Sequence, residues 1–351
     1  MKLVKIEDIK GDEILAKAIL TEEYTELLTE GSILKREYIP KLQYMGINEV
    51  FVKDDEIDAE TIVILKDDVT KKCREKVKAI ISKHTYNNQN QSMREISETA
   101  DNIINSIMQE DDVVETIYDI RERSADIYEH SISTCSLAML VALKMELDME
   151  TVHDIGVGCL LHDLGLRYIT VRFENLQLDE FTDKDMEEYK KHPIYGYSAV
   201  KNESWLSKTS KEIILMHHER LDGAGYPLRM SSLSIPTKIA AVCDFFDESI
   251  CGIGHVRLRV HEVIEYLKNY KGISFDTTVV NELLDFTAVY PTNCKVITSE
   301  GDMAIVIKQN KSFPERPILQ LIRDKSGNDY DEPILIDLLE HNNILIEKVI
   351  N

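Results

Sequence analysis

The chain has 351 residues, more than one ordinary domain needs, so two or three units with at least one sizeable core are expected. Its 63 acidic and 41 basic residues leave a net charge of −22, which excludes a general nucleic-acid or membrane-surface binder, because both need a positive field. Six cysteines (Cys73, Cys135, Cys159, Cys243, Cys251 and Cys294) form no C-x-x-C pair and sit partly in apolar helical runs, so they read as reduced, buried thiols rather than a disulfide framework.

The opening residues, MKLVKIEDIKGDE, lack the apolar stretch of a signal peptide, and no apolar run approaches a membrane span; a soluble cytoplasmic protein is the expectation. Residues 1–66 carry strand-like segments (EILAKAIL, GSIL, NEVFVK) and a short helix, REYIPKLQYMG, which Gly46 can close. This predicts a small N-terminal α/β domain. Residues 67–99 read as a helical linker, broken by the polar tract TYNNQNQS at 85–92, where Ser92 and Glu95 have capping-box spacing for the next helix. From 100 to 290 apolar residues recur at helical spacing, with Pro193 and Pro236 placed to open helices, which predicts a bundle. Residues 291–351 change to short alternating runs (KVIT, MAIVIK, ILQLIR) split by SEGD and KSGND turns, a small C-terminal β subdomain. The fold class is therefore mainly α, with small domains at both ends.

Of ten histidines, His84, His153, His255, His261 and His341 read as ordinary structural or solvated residues. The other five keep different company: His130 in DIYEHS, His162 with Asp163 in LLHDLG, His192 in KKHPIYG, and the pair His217-His218 in HHERLDGAGYP, joined by Asp244 in AVCDFFDE. The apolar residues before them place these polar groups where helices pack, and buried imidazoles and carboxylates must be paired or bound to metal. Neighbours on a helix point about 100° apart, so each doublet can address two different points, and seven candidate ligands are too many for one ion that keeps an open position. At least two ions are implied. Asp126, four residues before His130, stands as an eighth candidate at helical spacing. A set of imidazole and carboxylate without thiolate suits manganese, iron, zinc or nickel. Such a pair of ions activates water against a phosphodiester, and its positive charge answers the objection raised by the −22 balance.

Taken in order, the lone His130, HDLG at 162, His192-Pro193 with Gly196, HHERLDGAGYP at 217 and DFFDE at 244 resemble the signature of HD-GYP domains, a branch of the HD phosphohydrolase superfamily, over about residues 100–290. The resemblance implies an HD-type helical bundle with a bi- or trinuclear centre, often iron, hydrolysing cyclic di-GMP to pGpG and onward to GMP through a metal-bridging hydroxide. It implies metal ligands at Asp126, His130, His162, Asp163, His192, His217, His218 and Asp244, with Asp163 and His192 as candidate catalytic residues. Gly225, Tyr226 and Pro227 then shape a loop at the pocket mouth, where the glycine permits close approach and Tyr226 offers a ring and hydroxyl to a nucleotide. Further implications are a diguanylate cyclase partner through this loop and a homodimer. Two departures stand out. Leu166 takes the place of a usual lysine, and Ile253 that of a usual phosphate-contacting arginine; Arg167 and Arg257 are the candidate substitutes, and the alternative is a catalytically weak module that binds metal and nucleotide.

Overall fold

The chain divides into two units, Met1–Thr61 with Tyr290–Asn351, and Ile62–Val289. The structure, a computed structural model, describes residues 2–21, 26–45, 47–53, 59–83, 91–109, 113–120, 123, 125–173 and 182–350. Gly46, His84 and residues 85–90 of the polar tract lie outside these, as does the side chain of Ser92.

The two terminal segments, read from sequence as separate pieces, share one unit. Asn293 joins them, its Oδ1 accepting from the Ala59 amide at 2.8 Å and its own amide donating to the Ala59 carbonyl at 2.9 Å. In the N-terminal part β1 (Lys2–Lys5) pairs antiparallel with β4 (Glu49–Val52), and β2 (Ile19–Leu20) with β3 (Glu26–Leu28), while the short α1 (Ile39–Tyr44) adds Leu42 to a core of Ile6, Leu15, Leu34 and Val52. The C-terminal part is a five-stranded antiparallel sheet of β5 (Lys295–Thr298), β6 (Met303–Lys308), β7 (Ile318–Arg323), β8 (Asp329–Asp337) and β9 (Ile346–Ile350), in the order β8-β7-β6-β5-β9. Its alternating pattern turns Val296, Ala304, Val306, Leu319 and Leu321 inward, as a sheet with one covered face requires.

The second unit is helical among its described residues: α2 (Asp67–Lys83), α3 (Glu95–Ile107), α4 (Ile127–Lys144), α5 (Met149–Leu161), α6 (Asp183–Tyr189), α7 (His192–Val200), α8 (Lys208–Met216), α9 (Ile235–Cys251), α10 (Val260–Tyr270) and α11 (Thr277–Asp285). Short polar side chains open most of them by accepting first-turn amides: Asp126, Asp148, Thr182, Ser207, Ser234 and Asp276. Pro193 and Pro236 stand in the first turns of α7 and α9, where a missing amide hydrogen costs nothing. Helix α4 is buried almost all round and packs against α5 and α9, and α5 against α8, so the helices that carry the conspicuous histidines meet at the centre of the bundle. No helix of the described residues is long and apolar enough to cross a membrane.

Candidate metal centre

Each expected ligand is delivered by a helix or a helix end. His130 lies one turn into α4, His162 ends α5 and begins a 3-10 segment, His162–Tyr168, that also carries Asp163, His192 opens α7, His217 ends α8 with His218 next to it, and Asp244 lies mid-way along α9. Gly165 makes this closure possible. A Cβ there would stand 1.8 Å from the His192 carbonyl oxygen and 2.7 Å from the Gly196 amide nitrogen, so only glycine lets the 3-10 segment lie against α7 and bring Asp163 to His192.

The result is one buried cluster with two poles. His130 Nε2 and His162 Nε2 are 3.1 Å apart, and Asp244 Oδ1 is 3.2 Å from the first and 3.1 Å from the second. Asp163 Oδ2 joins this pole at 3.3 Å from His162 Nε2 and 3.6 Å from His130 Nε2. Its other oxygen faces the second pole, 3.3 Å from His192 Nε2 and 4.0 Å from His217 Nε2, which are themselves 3.1 Å apart. His218 offers a ligand atom to the same group as His192 and His217. One carboxylate therefore bridges two imidazole pairs.

The chemistry of these atoms fits cations. Ring protons are fixed by their outer partners: Nδ1 of His162 donates to the Cys159 carbonyl at 2.6 Å, that of His192 to the Tyr189 carbonyl at 2.8 Å, and that of His217 to the Ile213 carbonyl at 3.2 Å. His130 Nδ1 donates to Asp247 Oδ2 at 2.7 Å, and Asp247 is held in turn by the Arg123 guanidinium. With Nδ1 so engaged each ring turns Nε2 inward, and two Nε2 atoms 3.1 Å apart repel as lone pairs unless a proton or a cation lies between or beside them. Asp244 Oδ2 is buried and makes no hydrogen bond. Electrostatics agree. Burial opposes charge on His162, yet the carboxylates of Asp163 and Asp244 outweigh it and raise the ring to about 10, so this pole favours a positive charge; at the other pole burial and the neighbouring imidazoles, against the pull of Asp244, lower His217 to about 3 and keep its ring neutral. Burial works against ionised Asp163 and Asp244 as well, but the surrounding histidines hold both carboxyls below their ordinary range. The His130–His162 pole, which faces both carboxylates, thus favours positive charge.

Asp126 is not brought into this cluster. It is the residue before α4, with φ −131°, so the helical spacing to His130 does not apply; its Oδ1 accepts the amides of Tyr128 and Glu129, and Oδ2 pairs with Arg74 at 2.6 Å. The two candidate arginines bond to main-chain carbonyls outside the cluster. Arg167 is exposed and donates to the Ser82 carbonyl at 3.2 Å, and Arg257 donates to the Cys251 carbonyl at 3.4 Å. Leu166 and Ile253 are buried in apolar packing.

The Gly-Tyr-Pro loop lies beside the second pole. Tyr226 stacks on His218 with ring centroids 4.5 Å apart at 24°, and its amide donates to the His218 carbonyl at 3.1 Å. Gly225 allows this: a Cβ would fall 2.4 Å from the Arg220 amide nitrogen. Pro227 follows as the next residue of the same half-buried turn. Sequence reasoning passed over the residue that fixes the loop, Glu219, whose fully buried carboxylate accepts the amides of Leu228, Arg229 and Met230 at 2.5, 3.0 and 2.8 Å. It also passed over Asp247 and Glu248. A signal existed for the two acids, since positions three and four residues beyond Asp244 share its helical face.

Residues 113–279 match the family described as "HD domain", and residues 296–351 the one described as "KOW domain associated with HD domain". A cyclic di-GMP phosphodiesterase of Pseudomonas aeruginosa is 25% identical over 217 residues, covering 61% of this chain and 52% of the relative. A cyclic di-GMP phosphodiesterase response regulator of Xanthomonas campestris is 32% identical over 152 residues, covering 42% of this chain and 40% of the relative. The chain spans about half the length of the curated relatives it matches. Among solved structures, an HDG"Y"P protein from Bdellovibrio bacteriovorus superposes with a TM-score of 0.54 at 18% identity, covering 80% of this chain and 97% of that one, a likeness of fold.

Proposed function

We propose that the chain, whose residues 113–279 match the HD domain, is an HD-GYP-type metal-dependent phosphodiesterase that hydrolyses cyclic di-GMP to pGpG, GMP or both, as the names of its relatives suggest. The observation that carries this reading is the Asp163 carboxylate, with one oxygen 3.3 Å from His162 and the other 3.3 Å from His192, the arrangement of a ligand shared by two cations. His130, His162, Asp163 and Asp244 would hold one ion, and Asp163, His192, His217 and His218 the other. Divalent transition metals in these places supply Lewis acidity toward a phosphoryl group and a water-derived nucleophile at neutral pH.

The remaining work belongs to the protein. Main-chain carbonyls of Cys159, Tyr189 and Ile213, with Asp247, hold each imidazole in the tautomer that leaves Nε2 free to ligate. Glu219 ties down the segment after Pro227, which keeps Tyr226 over His218 and offers a polar aromatic edge beside the cluster to a nucleotide. Incubation of the manganese- or iron-loaded full chain with cyclic di-GMP, followed by chromatography, is expected to yield linear product, and far less of it with Asp163→Asn. Intact substrate after prolonged incubation with a fully loaded protein would reject the assignment.

A second reading, a weak enzyme or regulatory module that binds metal and nucleotide, draws on the burial of Leu166 and Ile253 in the places where a lysine and an arginine are usual. Fewer fixed cations at the phosphate lower affinity and transition-state stabilisation together. Measurable cyclic di-GMP binding without turnover would favour it.

A further inference from the structure

Arg220, on the turn that follows His218, is a half-buried cation with no role so far. Its guanidinium lies against two aromatic rings, with Cζ 4.8 Å from the centre of Phe275 and 5.7 Å from that of Phe245. Nη1 donates to the main-chain carbonyls of His217 at 3.2 Å and Glu219 at 3.0 Å, which fixes the group. Its other edge, Nε and Nη2, carries no hydrogen bond and no carboxylate pair among the described residues. The acids around it are engaged elsewhere: Glu219 holds the amides of Leu228, Arg229 and Met230, Asp222 accepts from the Ser274 hydroxyl at 2.6 Å and the Ala224 amide at 2.9 Å, and Glu248 faces His255 at 3.7 Å. A guanidinium anchored by one nitrogen keeps two parallel donors for a planar pair of acceptors. The aromatic rings continue outward from this point. Phe245, the residue after Asp244 on α9, lies 5.0 Å from Tyr266 of α10 at 33°, and Tyr266 stacks on Tyr270 at 4.3 Å and 23°. Packing does not account for the tyrosines, because α10 buries Val260, Val263, Ile264 and Leu267 while Tyr266 and Tyr270 stay 38% and 40% exposed. Exposed rings beside a planar cation suit a stacked nucleobase.

We infer that Arg220 and the run of Phe245, Tyr266 and Tyr270 form a guanine-reading subsite, in which the base lies on the rings and its O6 and N7 accept from Arg220 Nε and Nη2. The inference rests on the reading of the chain as a cyclic di-GMP phosphodiesterase and names how the base of that substrate is recognised. Adenine carries an amino group where guanine has O6, so it keeps one of the two bonds and sets a donor against a donor. Lysine in place of Arg220 would keep the charge but not the paired donors, so the fork and not the charge sets the preference.

Calorimetric titration of the manganese-loaded full chain with GMP and with AMP, neither of which has a diester to cleave, reads the base alone. The wild type is expected to bind GMP about 10-fold or more tighter than AMP. Arg220→Lys is expected to bring the two affinities together at unchanged manganese content, and Tyr266→Ala to weaken both nucleotides roughly 10-fold while leaving their ratio alone. A wild type that binds neither nucleotide or both alike, or an Arg220→Lys variant that keeps the wild-type preference, would overturn the inference. So would unchanged affinity in Tyr266→Ala, whose exposed position makes it the deciding variant should Arg220→Lys not fold. A GMP preference without cyclic di-GMP hydrolysis would support the subsite and reject the phosphodiesterase reading; hydrolysis without that preference would do the reverse.

Discussion

Asp163 ties the two poles together, and its substitution separates a metal centre from a merely polar core. Asp163→Asn keeps the shape but loses the charge that both imidazole pairs face, so metal uptake at both poles is expected to fall and hydrolysis to drop by roughly 100-fold or more. Retention of full metal content by this variant would exclude a bridging role. Asp247→Asn acts through His130, whose Nδ1 it orients, and is expected to weaken metal affinity roughly 10- to 100-fold, measured by competition with a chelator. Unchanged affinity would reduce Asp247 to a packing partner of Arg123. At this scale the residues of the cluster were legible, because histidines and acids embedded in apolar helical segments are conspicuous. Asp126 misled because four-residue spacing aligns side chains only when both positions are helical, and Asp126 precedes its helix in extended conformation. Glu219 went unread because an acid in a charged stretch looks solvated until the fold buries it.

Among the elements, the contact between the His162–Tyr168 segment and α7 sets the spacing of the poles. Gly165→Ala forces a methyl against the His192 carbonyl, backbone against which no side chain can yield, and a loss of about 1–3 kcal/mol is expected in chemical denaturation. Normal stability would show that α7 shifts freely, contrary to this packing. Helix α11, which packs on α4 and α9, depends on its cap. Burial would raise the Asp276 carboxyl, but Lys238 and the amides of Thr278 and Val279 lower it below the ordinary carboxylate range. Because its folded-state pKa lies below the unfolded one, its contribution is complete above the unfolded value and fades as pH falls through the folded value. Asp276→Ala is therefore expected to cost about 1 kcal/mol at pH 7 and progressively less in acid; an equal penalty under both conditions would argue against the carboxylate as its source. Helix-opening Pro193 and Pro236 and the alternating C-terminal strands could be read locally. The Gly165 contact could not, since it joins segments distant in sequence.

For the molecule as a whole, a net charge of −22 and an anionic substrate are compatible only if positive charge is concentrated where the phosphodiester binds. The union of the terminal segments in one unit was hidden from sequence, because the Ala59–Asn293 pairing spans most of the chain. The central claim is that imidazoles from four helix ends and interiors, joined by Asp163, hold more than one cation. Transition-metal analysis of the full chain purified without oxygen tests it most directly. At least two ions per chain, removed by chelation together with cyclic di-GMP hydrolysis and restored with it, are the expected result; less than one ion per chain, or hydrolysis untouched by chelation, would contradict it.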